Sequence, residues 1–245
     1  MTENDGIGSA RSEAVAFAPL VSVRNYMAPE HLWSARYAAR MCGEIEGRLK
    51  GTGELHRPHR SYVISAVLSS VAFMETYINE VLQDLADSEP GEIDSRCAGI
   101  AEQSAAILRE MWNPPGERIG WLERASILDK YRVSLAACGA EPFEKGAWPY
   151  QSAKKLIDLR NALVHFKPET QVSGEAHKLE KALKSEFASN QIFSEPLSPW
   201  YTIGCLGYGC AEWSHTTAAA FIDEWQARIG LEKDYKDEMG QYDSP

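Results

Sequence analysis

The stretch from Arg60 to Ala86 constrains the fold more than any other part of this chain. Its apolar residues alternate between spacings of four and three, which places them on one face of a helix and does not match the two-residue repeat of a strand. They are Val63, Val67, Val71, Met74, Ile78, Val81 and Leu85. The opposite face is small and polar, which suits the close approach of a second helix. The pattern predicts a long amphipathic helix within a helical core.

Most of the remaining chain also has helical periodicity, and no segment shows a persuasive strand pattern. We expect further helices over residues 31–49, 94–112, 120–138, 149–166, 174–189 and 209–229, separated by proline- and glycine-containing turns. The predicted class is all-α, a helical bundle with peripheral helical additions. We expect one domain over residues 23–230, between a disordered leader (1–22) and a flexible acidic tail (231–245).

Composition excludes several classes of protein. No apolar run approaches the roughly 20 residues that span a bilayer, and the mean hydropathy is -0.35. The N-terminal residues lack the apolar segment of a signal peptide. The five cysteines are scattered and form no CxxC pair, which is typical of reduced thiols in the cytoplasm. We therefore expect a cytoplasmic protein without a membrane partner.

The charge of the chain is uneven. A net charge of -10 argues against a broad surface that coats nucleic acid. Residues 150–184, however, contain seven basic and four acidic side chains. Lys154, Lys155 and Lys167 in this window are candidates for contact with a polyanion such as RNA, although a solvated helix face is the commoner explanation of such a run.

The hexapeptide Arg160-Asn161-Ala-Leu-Val-His165 is the strongest candidate for chemistry. It ends a predicted helix that Pro168 must stop. An arginine can hold a phosphate, and a histidine can move a proton near neutral pH. Such a pair also arises by chance among fourteen arginines and six histidines. Arg24 and His31 form a second pair of this kind, but the proline at position 29 interrupts that stretch.

The helical context favours the Arg160–His165 pair and raises a geometric difficulty. Asp158, Asn161 and His165 fall within about 60° of one another on a helix, whereas Arg160 lies about 140° from His165. A distorted helix, a long reach by the arginine, or a second subunit could bring the two together, and the last is favoured. The structural alternative is that Arg160 pairs with a carboxylate such as Glu75 and that His165 caps helix carbonyls. The apolar face of the same helix is expected to be buried: Leu156, Leu159, Leu163 and Phe166.

The segment Leu156 to His165 resembles the signature of the HEPN superfamily, an arginine, a polar residue and a histidine within a late helix. The helix from Ser61 to Leu85 resembles the early helix that this family places beside it. The resemblance covers roughly residues 60–166, with the helix from Gly209 completing the bundle. Residues 97–138 and 169–199 have no counterpart that can be assigned.

The resemblance implies a helical bundle that dimerises with its motif helices facing each other. Many members are metal-independent endoribonucleases, commonly in toxin–antitoxin or anti-phage systems, and Asn161 matches the pattern of active members. Others are inactive binding or scaffold modules, which is the alternative expectation here. The expected partners are RNA, a second copy of the chain, and an antitoxin or defence-system protein.

We expect His165 and Arg160 to act on RNA directly, without cofactor or metal. His165 would accept the 2′-hydroxyl proton, Arg160 would hold the phosphate, and Asn161 would orient one of them. Asp158, Glu75 and Asn79 are expected as supporting residues. The spacing Cys205-x4-Cys210-x4-His215 offers three soft ligands, but it lacks a fourth ligand and matches no standard zinc motif.

Overall fold

The computed structural model describes residues 23–116, 119–168, 170, 175–194, 200–232 and 235–236. Over these residues the chain is helical and contains no strand, which confirms the all-α class. The bounds are α1 (Ala28–Leu49), α2 (Arg57–Asp87), α3 (Glu102–Trp112), α4 (Ile127–Ala137), α5 (Tyr150–Val164), α6 (Lys178–Leu183) and α7 (Tyr208–Ile229). Short helical turns occur at Ser95–Cys97 and Trp200–Gly204.

Helix α2 is the central element, and it contacts α1, α3, α4, α5 and α7. It begins at Arg57, where the His56 side chain accepts a hydrogen bond from the His59 N–H at 3.3 Å. It ends where the Ser88 N–H donates to the Asp84 carbonyl at 3.1 Å. Its length and apolar composition would also permit a membrane span, but half of its most apolar window is buried inside the fold. The buried core helix of a protein outside the membrane can have the same length and apolar composition.

Aromatic side chains from α2, α4 and α7 fill the core. The Tyr131 hydroxyl donates to the Met74 carbonyl at 2.6 Å, and the Trp225 indole N–H donates to the Ser134 hydroxyl at 2.9 Å. These bonds satisfy polar atoms that burial would otherwise leave unpaired. Tyr131 is fully buried, so α4 is an integral part of the core. This helix lies within residues 97–138, for which the resemblance offered no counterpart.

The chain remains in the core beyond α7. Gly230 ends α7 with a positive φ of 75°, and Tyr235 is buried against the rings of Phe73 and Tyr77. Lys236 then pairs with Asp223 at 2.9 Å. Two residues of the expected tail (231–245) therefore contact the core. The predicted leader, residues 1–22, lies outside the described residues.

Three expected helices are shorter than the sequence pattern indicated. The helix over 94–112 is interrupted near Gly99, whose φ of +97° is left-handed and where a Cβ would clash with the Gly230 carbonyl oxygen. The helix over 120–138 begins only at Ile127, after the Ser126 side chain caps its N-terminus. The helix over 174–189 is reduced to α6. Local capping and the close approach of two backbone segments therefore make these helices shorter than the apolar pattern predicts.

Candidate functional site

Helix α5 carries the hexapeptide and is held by its buried leucines. Leu156 and Leu159 are fully buried, and α5 contacts α2 and α7. The helix ends at Val164, and the His165 N–H donates to the Asn161 carbonyl at 2.9 Å. The buried face therefore fixes how α5 is rotated, and this rotation decides which of the candidate side chains reach solvent.

One exposed line, which we call the α5 stripe, comprises three polar residues of α5 and the histidine that follows its end: Lys154, Asp158, Asn161 and His165. Their spacings of four, three and four place them on the same face of a helix. The predicted alignment of Asp158, Asn161 and His165 is confirmed by their shared exposure. The sequence already contained the signal that adds Lys154, because it lies four residues before Asp158.

Arg160 lies on another side of α5 and contacts α2. Its Nη2 is 3.5 Å from Oε2 of Glu75, and the two side chains are 24% and 46% exposed. The ion pair that the structural alternative expected is thus present. It is long and partly exposed, so it contributes little to stability. The guanidinium carries five N–H donors, and this contact uses one of them.

Asn79 does not support Arg160. Its side-chain oxygen instead accepts a hydrogen bond of 2.7 Å from Nζ of Lys130 in α4. Lys130 is buried, and burial lowers its pKa, although Glu75 and Glu123 oppose the shift. The buried ammonium of Lys130 thus takes the amide oxygen of Asn79. Lys130 was not predicted, since nothing in the sequence links α4 to this face of α2.

The three candidate RNA-binding lysines differ in their surroundings. Nζ of Lys155 lies 2.6 Å from a carboxylate oxygen of Glu186, an acid that also accepts a hydrogen bond from the Ser152 hydroxyl. Lys155 is therefore engaged within the chain. Lys154 and Lys167 are exposed, which leaves their ammonium groups accessible to an anion.

Arg160 and His165 do not meet within one chain, since no hydrogen bond joins them among the described residues. The neighbourhood of His165 is unexpectedly apolar at its surface. Val164 and Phe166 are 53% and 51% exposed. The prediction that Phe166 belongs to the buried face of α5 is wrong, because α5 ends at Val164 and Phe166 lies beyond its last turn.

In the other candidate pair, Arg24 and His31, the arginine has a structural role. Arg24 lies 2.7 Å from a carboxylate oxygen of Asp84 and 2.8 Å from one of Asp87. This arginine ties the segment before α1 to the end of α2. It is therefore not placed for catalysis with His31.

The candidate soft ligands Cys205, Cys210 and His215 do not form a metal-ligand cluster among the described residues. The Cys210 thiol is fully buried and shares a hydrogen bond with Cys205, whereas His215 pairs with Glu212 at 3.2 Å. A second group brings together Cys42, Glu46 and His59, all of them buried. The Glu46 carboxylate accepts hydrogen bonds from the His59 ring and from the backbone N–H groups of residues 191 and 208. Because these donors occupy its oxygens, the Glu46 carboxylate serves to hold the fold together rather than to bind a metal.

Comparison with known proteins gives no relative for this chain: no protein-family model, no curated protein and no solved structure matches it. The function must therefore be inferred from the chemistry of α5 and its neighbours.

Proposed function

We propose that the protein is a HEPN-like, metal-independent endoribonuclease with a role in toxin–antitoxin or anti-phage defence. The observation that carries the proposal is the exposed position of His165 at the end of the α5 stripe, one helix turn beyond Asn161 and close in sequence to Arg160. An exposed imidazole is accessible to a substrate, and the stripe offers a polar surface for the ribose-phosphate chain.

The chemistry needs only groups that the chain and RNA already carry. His165 accepts the proton of the 2′-hydroxyl, whose oxygen attacks the adjacent phosphorus. Arg160 binds the phosphate oxygens, where its planar fork compensates the charge that develops during attack. The 5′-oxygen leaves with a proton donated by the protonated His165 of the second protomer, so the products carry 2′,3′-cyclic phosphate and 5′-hydroxyl ends. Asn161 orients the phosphate or the imidazole.

A second copy of the chain completes the site in this proposal. Arg160 faces α2 while His165 faces solvent, so the two side chains of one protomer do not converge. The exposed Val164 and Phe166 beside His165 give a dimer interface the apolar surface that it requires. Across such an interface, His165 of one protomer would lie near Arg160 of its partner.

The second candidate function is a catalytically inactive HEPN-like binding or scaffold module. Two observations favour it: the Arg160–Glu75 ion pair, which already occupies part of the guanidinium, and the net charge of -10. In that case the α5 stripe would bind a protein partner, and Arg160 would serve the fold.

Cleavage of RNA by the purified protein separates the two functions. We expect cleavage that survives a metal chelator and leaves 2′,3′-cyclic phosphate ends. His165→Ala and Arg160→Ala should each reduce the rate by at least about a hundredfold, the scale of losing one general base or one charge-stabilising group.

Two matched variants control for unspecific effects. His31→Ala removes the histidine of the other Arg–His pair, and Arg132→Ala removes an exposed arginine that pairs with Asp129 within α4. Both should cleave as the wild type does. Absence of cleavage by the wild type, or equal cleavage by His165→Ala, would refute the enzymatic proposal and leave the binding module.

A further inference from the structure

A cavity of about 520 Å³ lies beside the Arg160–Glu75 contact. Helices α2 and α4 form two of its walls, and its lining includes Glu75, Thr76, Asn79, Trp112, Glu123 and Lys130. The volume is within the range of roughly 300–1,000 Å³ that is usual for small-molecule sites. Glu75 belongs both to this cavity and to the contact with Arg160, so a group bound here would lie next to the phosphate that Arg160 holds.

Lys130 supplies hydrogen-bond donors to the cavity. The residue is 3% exposed, and its Nζ lies 5.4 Å from the centroid of the Trp112 ring. Asn79 provides the one acceptor that Lys130 has among the described residues, while an ammonium group carries three N–H bonds. Because lysine only donates, the oxygen of the Asn79 amide faces it, and the amide NH₂ remains as a second donor.

Acceptors come from the carboxylates of Glu75 and Glu123. The other charged groups of the lining are already engaged: Arg24 pairs with two aspartates, and Glu80 accepts the backbone N–H groups at the start of α1. The lining holds three carboxylates and two cations, which disfavours a phosphate inside the cavity. A neutral group with acceptors on one edge and donors on another fits these residues.

We propose that the cavity binds a guanine base of the RNA, next to the phosphate held by Arg160. Guanine presents the acceptors O6 and N7 to the donors of Lys130 and Asn79, and its N1–H and N2–H₂ groups to the carboxylates. Adenine would place its amino group against the donors of Lys130 and Asn79, and so it is rejected. The inference rests on the proposed function for its substrate, RNA, but its chemistry can be tested separately.

Calorimetric titration with guanosine, adenosine, cytidine and uridine tests the cavity without any cleavage. Guanosine should bind about tenfold or more tightly than adenosine, the discrimination that one good bidentate contact provides. Lys130→Met keeps the aliphatic stem against Trp112 but removes the donors, and it should weaken guanosine binding by about tenfold. Glu123→Gln changes an exposed residue, and it should also weaken guanosine binding.

Arg132→Met is the matched control, because it removes a cation from the outer face of α4, and it should bind guanosine as the wild type does. Equal binding of all four nucleosides, no binding of guanosine, or unchanged binding by both cavity variants would overturn the proposal. RNA cleavage that depends on Arg160 and His165 without guanosine binding would refute the cavity alone. Selective guanosine binding without cleavage would support the cavity and refute the proposed enzyme.

Discussion

Glu46 of α1 accepts a hydrogen bond of 2.8 Å from Nε2 of His59 in α2, and both side chains are almost fully buried. The same carboxylate accepts the N–H of Tyr208 at 2.7 Å, at the start of α7, and the N–H of Gln191 at 3.0 Å. One carboxylate therefore links α1, α2, α7 and the segment before the turn at Trp200.

Glu46→Ala should destabilise the fold strongly, because it leaves a buried imidazole and two backbone N–H groups without their acceptor. Breaking one side of a buried pair costs about 3–5 kcal/mol. Urea unfolding followed by circular dichroism measures this loss. Glu44→Ala, at an exposed position on the same helix, should change stability by no more than about 0.5 kcal/mol. Equal effects of the two variants would show that the Glu46 contacts are unimportant.

The cost of Glu46→Ala should depend on pH. Burial alone would raise the pKa of Glu46, but the hydrogen bonds from His59 and the two backbone N–H groups together outweigh it and hold the pKa below its ordinary value of 4.5. The stability that this carboxylate contributes is thus present above about pH 4.5 and is lost as the pH falls through the folded pKa. The stability difference between the wild type and Glu46→Ala should therefore shrink below pH 4.5. A difference that grew in acid would contradict this sign.

Arg96→Met should also lower the stability of the fold, because it disrupts a second buried group of charged side chains. Arg96 is buried and lies 2.7 Å from Asp84 and 3.3 Å from Glu80, and burial raises the pKa of both acids despite this arginine. Removing the cation should cost about 3–5 kcal/mol at pH 7. The raised pKa values should rise further, so the cost should already shrink between pH 7 and pH 5 as the acids take up protons. Thermal unfolding at the two pH values measures this change, and a cost equal at both would oppose it.

Tyr235→Ala tests whether the chain beyond α7 belongs to the core. The ring packs edge-on against Phe73 and Tyr77, and truncating a large buried aromatic costs about 3–5 kcal/mol. Trp121→Ala, at a residue that is 54% exposed, should cost less than about 1 kcal/mol, since its ring has little burial to lose. A melting temperature unaffected by Tyr235→Ala would mean that the ring contributes nothing to the fold.

Phe166→Glu tests the proposed dimer. A charge in the centre of an apolar interface opposes association, so the variant should sediment as a monomer and should lose RNA cleavage while its circular dichroism spectrum stays unchanged. Leu55→Glu changes an equally exposed leucine, 58% accessible, at the turn before α2, and it should leave both properties intact. A wild-type protein that sediments as a monomer and cleaves RNA would contradict the two-protomer site.

The helical class, the central helix α2 and the exposed line through Asp158, Asn161 and His165 follow from the sequence, because side-chain periodicity depends on local geometry alone.

Long-range contacts decided the rest. Asn79 pairs with Lys130, 51 residues away, and Lys155 pairs with Glu186 rather than remaining accessible. Tyr235 returns to the core after α7. These pairings depend on which helices become neighbours, and a periodic pattern carries no information about its partner across the fold. The hexapeptide could thus be read from the chain, whereas the separation of Arg160 from His165 and the cavity beside Glu75 arise only when α5 and α4 pack against α2.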